Sequence, residues 1–153
     1  MHFQTLSLLA LTTSSAYAHF QLLWPPTGSP FNEDEEGTGP CGGVDTSADG
    51  TADVHTDRFA LSVLSSHPEG EWYIRATQST SAPYNFTDIS PVIETSGLGQ
   101  FCLTSFSVPS EWAGSSGIIQ IVDHSDDGML YQARHPFVLS LVFYANVRDS
   151  ALL

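Results

Sequence analysis

The chain has 153 residues, of which 41% are hydrophobic, and seventeen acidic side chains against four arginines leave a formal charge of −13 at pH 7. That length suits one hydrophobic core and the composition is that of a folding chain, which excludes wholesale disorder and a second full domain. The negative charge repels nucleic-acid phosphates and anionic membranes, so nucleic acid is excluded as a partner and cations are favoured.

Residues 1–18 read as a secretory signal peptide: a short apolar stretch around Leu6, Leu8, Leu9 and Leu11, then the small-x-small triplet Ala16-Tyr17-Ala18, with His2 a weak substitute for a charged start. The apolar stretch is well short of the ~20 residues that a membrane-spanning helix needs, so cleavage after Ala18 is expected and the protein should be secreted.

Short apolar runs follow at residues 20–24, 59–64, 72–76, 101–108 and 117–122, each rich in β-branched or aromatic side chains and bounded by Pro, Gly, Ser or Asp. Their length and boundaries predict strands, and their spacing predicts an all-β domain over residues 19–132, an immunoglobulin- or fibronectin-like antiparallel β-sandwich with long loops. The polar stretch from Thr77 to Ser96 is expected to be one such loop. The acidic run Asn32-Glu33-Asp34-Glu35-Glu36 lacks calcium-loop spacing and is expected to be a solvated loop with no site.

In an oxidising compartment Cys41 and Cys102 are candidates for a disulfide, with two free thiols as the alternative. Asn85-Phe86-Thr87 is a glycosylation sequon, which would place Asn85 at the surface. Residues 133–153 form an atypical tail. Its apolar segment 138–144 could add a strand, and its end, Asn146-Val147-Arg148-Asp149, does not make a lipid-anchor signal, so a soluble secreted form is expected.

The chemistry concentrates at His19. Cleavage after Ala18 would leave His19 with two nitrogen donors, its free amine and imidazole Nδ1, able to chelate one metal ion. A second imidazole completes the T-shaped nitrogen set called a histidine brace, which suits Cu(II) by geometry and by the Irving–Williams order. The amine, with an unperturbed pKa of ~7.7 to 8.0, must lose its proton, so affinity should fall in acid.

The ordered series His19-Phe20-Gln21-Leu22-Leu23-Trp24-Pro25-Pro26, Pro40-Cys41-Gly42-Gly43, Arg58-Phe59-Ala60-Leu61, His67-Pro68, Gly99-Gln100-Phe101-Cys102, residues 117–122 and Asp127-Gly128-Met129-Leu130-Tyr131-Gln132 resembles the fungal copper-acquisition family related to lytic polysaccharide monooxygenases. The resemblance implies the β-sandwich, copper as cofactor or cargo, and a brace made by His19 and His67, with His55 the rival second ligand. His124 is expected to be a solvated loop residue.

In the family Leu-Tyr-Gln continues with Cys-Ala-Asp, a disulfide cysteine and an aspartate expected near the copper. Here Gln132 is followed by Ala133-Arg134-His135, which removes both.

The expected function is extracellular copper acquisition or homeostasis without glycan oxidation, by a monomer whose partners are the copper ion, a cell-surface copper transporter and the cell wall. A copper-dependent lytic polysaccharide monooxygenase is the alternative. It would need an exposed aromatic platform near His19, whereas Trp24 and Tyr131 are expected in the core. A third reading is a structural module with incidental histidines.

Overall fold

The computed structural model describes residues 18–46 and 52–140, with side chains as far as Arg134. The leader through residue 17 and the tail beyond residue 140, with most of its expected strand, lie outside the described residues.

Two sheets face each other. The smaller has the order β1 (Phe20–Trp24), β3 (Phe59–Ser65), β7 (Gly99–Phe106), all antiparallel. The larger runs β2 (Ala52–His55), β9 (Gly128–Ser140), β8 (Ser116–Ser125), β4 (Glu69–Thr77), β5 (Thr87–Asp88), with β6 (Ile93–Ser96) also on β4. Helical structure among the described residues is limited to 3-10 turns at Glu33–Glu35 and Ser110–Trp112.

In β3 and β4 burial alternates along the strand, so Leu61, Val63, Trp72 and Ile74 point inward. They meet Phe20 and Leu22 of β1, Phe106 of β7, and Ile119 and Ile121 of β8 in one core. Phe20 and Trp72 lock the sheets together edge to face, with ring centroids 5.2 Å apart.

Strand β8 is buried from Gly117 to Asp123 instead of alternating, because both faces are covered. Its outward Ile118 packs with Cys41 and Ala133 beneath Val44, Tyr84 and Phe86. The 37–46 loop is thereby pinned onto the larger sheet, and Gln120 Nε2 donates to Pro40 O at 2.6 Å. Gly42 makes this close approach possible: it has φ +63°, and a Cβ there would meet the Tyr131 carbonyl.

The fold is the expected all-β sandwich, and each of the five expected runs contains a strand. Four details differ. The expected loop from Thr77 to Ser96 contains β5 and β6. Strand β9 continues to Ser140 through the expected boundary at residue 132, because β8 pairs with it as far as Val138. The larger sheet is mixed, since β2 joins β9 in parallel. Trp24, expected in the core, is 44% exposed at the outer end of β1, and the buried tryptophan is Trp72.

Candidate metal centre

Pairing of Phe20 with Ser65 carries the residue before β1 against the residue after β3. His19 N donates to Ser66 Oγ at 2.8 Å, and Ser66 N and Oγ donate to His19 O at 2.9 Å each. The chain then turns at His67, whose ring is buried at one end of the sandwich.

Two aspartates face that ring. Asp123 Oδ2, from β8, is 2.7 Å from Nδ1, and Asp127 Oδ2, from the β8–β9 turn, is 3.4 Å from Nε2. These are ion-pair distances without hydrogen-bond alignment, and neither ring nitrogen has a hydrogen-bond partner. Asp127 Oδ2 also accepts from Ala18 N at 2.9 Å, so it bridges between the segment entering β1 and His67.

Asp123 is fully buried, and burial pushes its carboxyl up to about 6 against the opposing pull of His67 and then His124. Gly70 makes room for it: a Cβ there would lie 2.5 Å from Asp123 Oδ1.

The acidic run is not wholly solvated. Glu33, Asp34 and Glu35 are exposed, but Glu36 is fully buried because the turn drives it under β1. Its Oε2 is 3.1 Å from His19 Nδ1, and its Oε1 accepts from Phe20 N at 3.2 Å and Gln132 Nε2 at 3.0 Å. Burial raises its pKa, and the bonds from Gln132, Phe20 and His19 oppose that rise. Glu33 Oε2 stands 3.7 Å from the other ring nitrogen of His19.

Ser66 thus ties His19 to the residue before His67, with the His19 ring turned to Glu36 and Glu33 and the His67 ring to Asp123 and Asp127, whereas His55 is exposed on β2 of the larger sheet. His124 is exposed, as expected, 3.3 Å from Glu71 Oε2. His135 lies on β9, with its side chain outside the described residues. Asn85 is exposed between Tyr84 and Phe86, whose rings lie 5.6 Å apart.

The expected Cys41–Cys102 disulfide is not formed, and both thiols are free. Cys102 is exposed on β7 opposite Ser62 in the smaller sheet, whereas Cys41 is buried against the outer face of the larger one. Opposite sheets separate them.

Among the described residues no three His, Cys, Asp or Glu side chains converge to hold a metal ion. A brace does not require three, because one of its nitrogens is the main-chain nitrogen of the first residue. A buried His67 Nε2 without a hydrogen-bond partner, beside a carboxylate and the His19 segment, is a donor set of nitrogen with one oxygen, which fits copper better than magnesium or calcium.

Sequence reasoning missed Glu36, Asp123 and Asp127. For Asp123 a signal exists: an acid directly continuing the apolar run at residues 117–122 falls inside the strand.

The family described as copper acquisition factor BIM1-like matches residues 17–134. No curated protein matches the chain.

Proposed function

Since the chain belongs to the BIM1-like copper acquisition factor family, whose role is copper acquisition, we propose that it is secreted, loses residues 1–18 and takes up Cu(II) through a histidine brace of the His19 amine, His19 imidazole and His67. The observation that supports this reading is the bonding of Ser66, the residue before the buried His67, to both main-chain groups of His19.

Removal of Ala18 frees the Asp127 carboxylate from its bond to Ala18 N and leaves it beside His67 Nε2. Asp127 thereby takes the place of the aspartate that this chain lacks after Gln132. Asp123 stands at Nδ1 of His67 and would leave Nε2 for the metal, as carboxylates do behind many metal-bound imidazoles. The chain's charge of −13 concentrates cations around this end.

The captured ion is cargo, passed on to a cell-surface copper transporter by a monomer that rests at the cell wall and carries a glycan on Asn85. Glycan oxidation is the weaker reading. The exposed Trp24 stands five residues along β1 from His19, roughly 16 Å away, too far to form a platform around the metal.

The test is Cu(II) titration by electron paramagnetic resonance of protein secreted with its own leader, against a form carrying one extra alanine before His19. A single nitrogen-rich signal abolished by the alanine supports the brace. Equal binding by both forms overturns it.

A further inference from the structure

Strand β1 is an edge strand among the described residues, where the smaller sheet runs β1, β3, β7. The main-chain groups of its outer edge would ordinarily face water or another strand. Here side chains take them. Leu22 N donates to Gln132 Oε1 at 2.9 Å, Gln132 Nε2 donates to Phe20 O, and Phe20 N donates to Glu36 Oε1 at 3.2 Å. Gln132 Nε2 also donates to that same Glu36 oxygen at 3.0 Å, joining the two side chains into one unit. Gln132 is 1% exposed and Glu36 is fully buried, so this unit is built into the interior.

We propose that Gln132 and Glu36 are positioning residues that serve β1 as a two-side-chain substitute for a neighbouring strand and so fix the first mature residue, His19, relative to His67. The inference rests on the brace reading for its functional consequence. Gln132 projects from β9, opposite Ile121, in the larger sheet, so the arrangement ties the start of β1 to the opposite sheet. Both main-chain groups of Phe20 are held, which leaves the residue before it little freedom to swing. A brace needs that rigidity, because its amine and imidazole come from a chain terminus that would otherwise fray.

Gln132→Ala removes two bonds to β1, whereas Glu36→Gln keeps an oxygen to receive Phe20 N and Gln132. The first measurement is amide hydrogen exchange on the mature, metal-free wild-type protein. Phe20 and Leu22 are expected to exchange at least a hundredfold more slowly than amides of an open strand edge, and exchange at the open-edge rate overturns the proposal.

The second is Cu(II) paramagnetic resonance with release to a chelator, on variants whose far-ultraviolet circular dichroism matches wild type. Gln132→Ala is expected to give a mixture of copper signals and roughly tenfold faster release, while Glu36→Gln keeps one signal. A wild-type spectrum and release rate for Gln132→Ala overturns the positioning role. Should Gln132→Ala not fold, Glu36→Ala is read by amide exchange, because it also removes the carboxylate 3.1 Å from His19 Nδ1: exchange of Phe20 at the open-edge rate supports the unit, and a wild-type rate overturns it. A wild-type protein without a nitrogen-rich copper signal sinks the brace reading instead, and the exchange rates of Phe20 and Leu22 still decide whether the side-chain edge exists.

Discussion

The Asp123 carboxylate stands 2.7 Å from His67 Nδ1 with both side chains buried, the shortest ion-pair contact at the candidate metal centre. A carboxylate so close to Nδ1 leaves Nε2, which faces Asp127, as the ring nitrogen open to a metal. Asp123→Asn keeps the shape and removes the charge, so copper affinity is expected to fall about 10- to 100-fold in a competition titration. Gly70→Ala should act in the same direction without touching either side chain chemically, because the new Cβ would push into Asp123 Oδ1.

Asp127 predicts a different pattern. Its side chain is 31% exposed and its partners are His67 and Ala18, so little of the fold depends on it. Asp127→Asn is expected to leave the melting temperature within about 2 °C of wild type, as surface changes of less than ~0.5 kcal/mol do. Copper affinity should drop and the paramagnetic resonance parameters should shift. An unchanged spectrum would show that the carboxylate does not approach the metal.

Much of this arrangement was legible in the sequence, for reasons that differ by residue. The strands were legible because β1, β3, β4, β7 and β8 contain compact apolar runs between turn formers, and His19 drew attention because an expected cleavage pattern ends just before it. Strand β2 was not, since four residues with Val54 as the only buried apolar side chain carry little pattern, and β5 and β6 are short and polar. Glu36 was hidden because composition cannot distinguish the one acid of a run that a turn buries from its three exposed neighbours. The thiols suggested a disulfide because compartment chemistry says only that cysteines can pair, whereas sheet placement decides whether they meet.

Gly42 offers a test of how the 37–46 loop supports the site. With φ +63° and a Cβ that would lie 1.7 Å from the Tyr131 carbonyl, alanine cannot be accommodated without moving the loop off β9. The same neighbourhood holds Glu36, whose carbonyl accepts from Tyr131 N at 2.8 Å. Gly42→Ala is therefore expected to cost about 3 kcal/mol or more, a fall of roughly 10 °C or more in melting temperature by circular dichroism, or to prevent folding.

The two thiols should separate cleanly by reagent and by pH. In the native protein a water-soluble alkylating reagent is expected to label exposed Cys102 within minutes and to reach Cys41 only on unfolding, which mass spectrometry of the digested protein reads directly. Burial raises Cys41 from its ordinary 9.0 to about 11, so between those values the unfolded chain gives up this proton while the folded chain keeps it. The folded state then binds more protons than the unfolded one, and stability must fall as pH rises through that window, by ~3 kcal/mol for this group. Urea unfolding at pH 8.5 and pH 11 should show this fall, and Cys41→Ala should show a smaller one, the difference isolating the thiol from the tyrosines that ionise in the same range. Failure of either cysteine to react even in denaturant would restore the disulfide and overturn the assignment of free thiols.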